Sequence, residues 1–282
     1  MILVTGKNGQ LGSDVISQLH SRNIDCLGID VCELDITDSQ AVRTFIEKIK
    51  PRCVIHCAAY TAVDKAEDEP ELCMSVNADG TRYIAQACRD IGAEMIYIST
   101  DYVFSGDGNT PYEVDDPKDP LSMYGKSKLD GELVMTECLL NCYIVRTSWV
   151  FGLNGNNFVK TMLNLANSRD EISVVCDQIG SPTYTPDLAK LLCNIALSGK
   201  YGVYHATNEG FCSWAEFAEE IMRERGSSCK INHIPTSQYP TKATRPHNSR
   251  LSKLSLVSAG FERLPSWNDA LKRFLSAPEA NP

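Results

Sequence analysis

The chain has 282 residues, 43% of them hydrophobic and 22% charged, which is enough to bury one sizeable core and a smaller lobe. Its net charge of −9 argues against nucleic acid as a partner, and no apolar run approaches the roughly 20 residues of a membrane span. The twelve cysteines are scattered through strand-like and helix-like segments with no Cys-x-x-Cys pair, so they read as reduced core thiols of a cytoplasmic protein.

Met1 to Thr5 is a strand and not a signal peptide, because it stops at Thr5-Gly6 without a basic flank or a cleavage site. From there short β-type runs alternate with helical patterns. A helix from Asp14 to Ser21 leads to a strand at Ile24 to Ile29, and a helix from Gln40 to Ile49 leads to a strand at Cys53 to Cys57. A helix from Glu71 to Ile91, a strand at Glu94 to Ser99, a helix from Leu121 to Glu137 and a strand at Tyr143 to Arg146 continue the series. Strand and helix in strict alternation predict an α/β fold with a doubly wound parallel sheet of Rossmann type. After Trp149 the rhythm loosens: helices at Asn157 to Asn167, Pro186 to Leu197 and Trp214 to Glu224 are separated by strands at Ile172 to Val175 and Gly202 to Ala206. The expected division is a dinucleotide-binding domain over residues 1–150, completed by elements within about 170–206. A smaller C-terminal α/β substrate lobe over 151–282 interleaves with it, and Ala277 to Pro282 reads as a frayed tail.

The segment Gly6-Lys7-Asn8-Gly9-Gln10-Leu11-Gly12 follows the first strand and opens the first helix, where backbone amides and the helix dipole meet a pyrophosphate. Asp30 ends the second strand, where a carboxylate reaches a ribose 2′-hydroxyl; it favours NADH without excluding NADPH. Asp35 and Ile36 are placed to flank the adenine. Ala58 and Ala59, before Tyr60 and Thr61, let a cofactor lie against the backbone or let a helix pack closely on a strand. Asn77 orients backbone or water in a proton relay, caps a helix or faces solvent.

Tyr124 and Lys128, one turn apart early in a helix, are the pair expected to handle a proton, with the ammonium lowering the phenol pKa. Such a pair is cheap as a motif. Its context is Ser99-Thr100-Asp101-Tyr102 at the C-terminal edge of a parallel strand, where open sheets bind ligands and where a Thr100 hydroxyl meets a substrate carbonyl. Lys242, Arg245, His247, Arg250 and Lys253 form the densest basic stretch; it reads either as a solvated face or, through Arg245, as a phosphate fork.

These segments together resemble the extended short-chain dehydrogenase/reductase superfamily, and within it the reductases of dTDP-linked 4-keto-6-deoxy sugars. The resemblance is carried by the glycine turn, Ala58 to Glu67, Ser99 to Phe104, Tyr124 to Lys128, Arg146 to Trp149, Gly155 to Phe158, Asp177 to Thr183 and Arg245 to Ser249. It implies Thr100, Tyr124 and Lys128 as catalytic residues, with NADPH or NADH as cofactor. It implies Thr61, Val63, Asp101, Tyr102 and Trp149 as neighbours of a nucleotide sugar. Asn156 and Gln178, in two of the carrying segments, join that substrate set. Some members bind magnesium through acidic residues at a dimer interface; here Asp14 and Asp187 replace the longer glutamates expected, so no metal ligand is assigned. A homodimer is compatible with the resemblance. The implied activity is reduction of the sugar's 4-keto group. A sister epimerase or dehydratase is the nearest alternative, although Asp101 is followed by Tyr102 and not by the glutamate a dehydratase needs. A non-catalytic NAD(P)-binding regulatory subunit is the other.

Overall fold

The computed structural model describes residues 1–278. In chain order the first half comprises β1 (Ile2–Thr5), α1 (Gln10–Ser21), β2 (Cys26–Ile29), α2 (Ser39–Ile49), β3 (Cys53–His56), α3 (Val63–Ala66), α4 (Pro70–Met74), α5 (Gly80–Ile91), β4 (Glu94–Thr100), α6 (Met123–Cys138) and β5 (Cys142–Thr147). The second half comprises β6 (Val150–Phe151), α7 (Phe158–Ala166), β7 (Glu171–Val175), β8 (Ile179–Gly180), β9 (Thr183–Tyr184), α8 (Thr185–Ala196), β10 (Gly202–His205), β11 (Cys212–Ser213), α9 (Trp214–Arg225), β12 (Lys230–Ile234), α10 (Leu254–Ser258) and α11 (Trp267–Ser276). Of the expected tail, Ala277 donates its amide to Phe274, and residues 279–282 lie outside those described.

The large sheet has six strands in the order β10-β5-β4-β3-β1-β2, all parallel. Alternation along the strands sends Ile2 and Val4 to one face and Leu3 to the other. The first face packs on α1 and α8, where Leu188, Leu191, Leu192 and Ile195 are all buried. Each such side chain contributes on the order of 1.5 to 3 kcal/mol. The second face packs on α2 and α5 through Val42, Ile46, Ile84 and Cys88. The chain goes from β1 outward to β2, then crosses back to β3 on the other side. That reversal makes a crevice between the C-terminal ends of β1 and β3.

Between 170 and 206, α8 and β10 attach to the large sheet, whereas β7 pairs with β12 in a separate two-stranded sheet. A further core of Phe151, Met162, Phe217, Ile221, Leu271 and Phe274 lies under α7, α9 and α11. The helix expected from Glu71 to Ile91 is interrupted by a wide π turn at Ser75–Asp79. There the side-chain amide of Asn77 bonds to the backbone of Tyr60 instead of capping the helix. All twelve cysteines lie in the described residues and are free thiols. No described helix is long and apolar enough to cross a membrane.

Candidate active site

The C-terminal ends of β1, β3, β4 and β5 open on a cleft of about 710 Å³. Its floor is the turn between β1 and α1. Gly6 adopts φ +68°, and a Cβ there would stand 2.8 Å from the Ala58 amide nitrogen, so only glycine lets the two strand ends approach this closely. Gly9 is the N-cap of α1 and has no side-chain acceptor, leaving the first turn, where Gln10, Leu11 and Gly12 line the cleft, uncapped. An uncapped helix start beside bare backbone is the arrangement that takes a pyrophosphate.

Asp30 continues this wall with Asp35 and Ile36. Its carboxylate accepts the amides of Asn8 at 3.1 Å and Val31 at 2.9 Å, which fixes it on the turn. Asp30→Asn keeps an oxygen for one of those amides and removes the charge. The variant is expected to weaken NADH about tenfold more than NADPH, because only NADH offers a free 2′-hydroxyl. Equal losses in fluorescence titrations would show that Asp30 does not read the ribose.

The reacting wall is assembled from three elements. Ala58, Ala59, Thr61 and Val63 follow β3, Ser99 and Thr100 end β4, and Asp101 and Tyr102 lie in the turn after it. Tyr124 and Lys128 come from α6, whose start is set by the Ser122 hydroxyl accepting the Gly125 amide at 3.1 Å. Thr100 Oγ1 donates to Asp101 Oδ1 at 3.0 Å and accepts the Tyr102 amide at 3.3 Å, so it caps the turn as well as facing the cleft. The rings of Tyr102 and Tyr124 meet edge to face at 5.5 Å. Lys128 Nζ lies 4.0 Å over the Tyr97 ring. Trp149 and Asn156 close the far side, with Trp149 stacked on Trp214 at 3.7 Å.

Burial dominates the titration of this wall. It pushes the Tyr124 phenol well above its usual value, with the Thr100 hydrogen bond opposing it. It draws Lys128 down to about 7 and lifts Asp101 to about 6, where Asp101 Oδ2 has no partner among the described residues. The expectation that Lys128 lowers the Tyr124 pKa is therefore not met in the chain by itself. A desolvated lysine at the edge of deprotonation is a weak source of field, and the phenol keeps its proton.

Five of the expected site residues do not line the cleft. Asn8 contributes its backbone to Asp30, and Tyr60 sends its hydroxyl to Glu69 at 2.8 Å. Asn77 holds the Tyr60 backbone through Oδ1 and Nδ2 at 2.8 and 3.0 Å and donates to Ser127 Oγ at 2.9 Å, so it braces the wall from behind. Gln178 is buried and donates to Thr236 Oγ1 at 3.0 Å. Arg245 lines a neighbouring cavity of about 500 Å³, paired with Asp64 at 2.6 Å and donating to the Tyr102 hydroxyl at 3.3 Å. The rest of the basic stretch is also engaged: Lys242 with Asp68, His247 with the Asp177 carbonyl, Arg250 with Asn248, and Lys253 over Phe211. Local pattern reading missed Trp214, Thr147, Ser148 and Val76 on the cleft wall. Trp214 had one signal, the capping box of Ser213 and Glu216 that starts its helix.

Asp14 and Asp187, the two acidic residues weighed for a magnesium ion, both make contacts within the chain. Asp187 is gripped by Arg273 at 2.9 and 2.7 Å and by Asn208 at 2.8 Å, and Asp14, beside Thr185, has its carboxyl pushed up by burial. Among the described residues no group of three acidic, histidine or cysteine side chains is placed to hold a metal.

A glycine turn at a topological switch point, facing a Thr-Tyr-Lys wall, is the arrangement of the short-chain dehydrogenase/reductase class of nicotinamide-dependent oxidoreductases. Within that class the chain belongs to the family described as RmlD substrate binding domain, whose model matches residues 1–279. It is 42% identical to the spore coat polysaccharide biosynthesis protein SpsK of Bacillus subtilis, over 97% of this chain and 96% of that protein. It is 42% identical to a dTDP-4-dehydrorhamnose reductase of Streptomyces griseus, with 95% and 91% covered. A crystal structure of a dTDP-4-dehydrorhamnose reductase from Bacillus anthracis in complex with NADP is similar at a TM-score of 0.95 and 42% identity, covering 97% of this chain and 98% of that one.

Proposed function

We propose that this chain is an NAD(P)H-dependent reductase that converts dTDP-4-dehydro-L-rhamnose to dTDP-L-rhamnose. The observation that carries the reading is the convergence of Thr100, Tyr124 and Lys128 on one wall of the cleft whose floor is the uncapped start of α1. When bound, the reduced nicotinamide supplies a hydride to C4 of the sugar. Thr100 Oγ1 and the Tyr124 hydroxyl hold the ketone oxygen between them, and Tyr124 gives its proton to that oxygen as negative charge develops. A sugar alkoxide is a stronger base than an ordinary phenolate, and the burial that raises the phenol bears on the alkoxide beside it as well. Lys128 binds the nicotinamide ribose and, while charged, favours the phenolate that remains. Trp149 and Trp214 form an apolar platform for the deoxysugar face.

Arg245 grips the diphosphate in this reading, from its place behind Tyr102. Exchanging Asp64 for phosphate oxygens keeps the guanidinium paired. Arg245→Ala is expected to raise KM for the nucleotide sugar about tenfold, with cofactor affinity unchanged. If calorimetry with free dTDP gives equal affinities and only the melting temperature falls, Arg245 serves the Asp64 contact alone.

The reading also carries a homodimer, which sedimentation velocity tests. The activity is tested by supplying enzymatically generated dTDP-4-keto-L-rhamnose and following loss of NADPH absorbance. Turnover that depends on both compounds supports the reductase, and no oxidation by a chain that binds NADPH contradicts it.

A further inference from the structure

Behind the reacting wall lies an ion pair that the proposed chemistry does not use. Glu132 stands one helical turn after Lys128 and two after Tyr124 on α6. Its carboxylate receives Arg146 Nε at 2.8 Å and Nη2 at 2.6 Å, and Ser99 Oγ at 2.5 Å. The two side chains are only 3% and 5% exposed. Arg146 goes on to the Val114 carbonyl at 2.9 Å, faces His205 Nε2 at 3.3 Å and lies over the Phe104 ring.

Desolvation largely offsets the attraction within such a buried pair, and apolar residues of the same volume often do as well for stability. The position of the pair is more informative. Ser99 precedes Thr100 on β4, and Arg146 precedes Thr147, the register partner of Thr100 on β5. Glu132 thereby ties the helix bearing Tyr124 and Lys128 to the two strand ends that place Thr100.

We infer that Glu132 is a positioning residue that clamps α6, with Tyr124 and Lys128 on it, against β4 and β5 and sets its carboxylate one helical turn from the buried Lys128. Among the described residues Lys128 has no ion-pair partner of its own; it meets the Tyr97 ring instead. Burial is the largest influence on Lys128 and lowers it, and Glu132 is the largest influence in the other direction. The remaining groups facing Lys128 are Tyr124 on its own helix, Cys73 from α4, Cys57 and His56 from the end of β3, and Tyr97 from β4. His56 is held neutral by burial first and by Lys128 second, at about 3, and the thiol of Cys57 is pushed up by burial to about 12. Glu132 is thus the one carboxylate acting on this lysine among these groups.

The inference rests on the proposed reduction, in which Lys128 is charged and touches the nicotinamide ribose. A base whose proton is required gives activity below its pKa and loses it as pH rises. Removing the Glu132 charge therefore moves that loss to lower pH. Glu132→Gln is expected to shift the basic limb of turnover downward by about one pH unit, leaving roughly tenfold less activity above the limb. NADPH affinity against pH, read by fluorescence, should shift in parallel. Glu132→Asp should restore part of both. Because Glu132→Gln leaves Arg146 buried and unpaired, the Glu132→Gln, Arg146→Met double variant is made alongside it; it should fold and, losing a positive charge with the negative one, shift the limb downward by less than the single variant. Unchanged limbs of affinity and turnover in either folded variant overturn the inference. A wild-type chain that binds NADPH but turns over no keto sugar removes the functional reading instead, and the affinity limb alone then decides the role of Glu132.

Discussion

Tyr124→Phe is expected to lower kcat by about 100-fold or more, the usual scale for removing a positioned acid, while the melting temperature and NADPH affinity stay close to wild type. The substitution removes one hydroxyl and keeps the ring that packs edge to face on Tyr102. In the proposed mechanism the burden falls on Tyr124, which meets the ketone oxygen together with Thr100. Thr100 is a poor acid whose hydroxyl is shared with Asp101. Near-normal single-turnover rates in the variant would take Tyr124 out of the mechanism.

Gly12→Ala should act through the other half of the site. A Cβ at Gly12 would stand 2.1 Å from the Gly6 carbonyl oxygen and 3.2 Å from Lys7 Cα. Alanine gains about 1 kcal/mol over glycine in a helix interior, but forcing atoms into a packed turn costs about 1 to 3 kcal/mol and here the contact is with backbone, which has little room to yield. The turn should give way. We expect NADPH affinity to fall by about 100-fold because the amides and the Gly6 turn no longer converge on one pyrophosphate. Affinity within a few-fold of wild type would mean that the turn is not the cofactor cradle.

Much of this was legible in the chain. The parallel sheet follows from the strand and helix alternation up to Arg146, and the glycine turn, Thr100, Tyr124 and Lys128 are each local patterns at strand ends or on one helix face. What stayed hidden depends on contacts distant in sequence. Arg245 and Asp64 are 181 residues apart, and nothing near either residue announces the pair. The two-residue strands β8, β9 and β11 exist only because of partners elsewhere in the chain, and β12 is recruited by β7. Helix α11 is a different case. Ser266 as cap and Trp267, Ala270, Leu271 and Phe274 at helical spacing were readable, but lay beyond the segments that carried the rhythm. Asn77 was singled out from sequence, yet its work as a brace appears only once the π turn swings it toward Tyr60.

The central claim, that this cleft transfers a hydride to C4 of a dTDP-linked keto sugar and a proton to its oxygen, is tested most directly with reduced cofactor carrying deuterium at both positions of the nicotinamide C4. One reaction in ordinary water with dTDP-4-keto-L-rhamnose, followed by mass spectrometry and NMR of the product sugar, suffices. The account predicts dTDP-L-rhamnose carrying deuterium at C4, with one cofactor oxidised for each sugar reduced. A product without deuterium at C4, or an isomerised sugar formed without net oxidation of the cofactor, would contradict it.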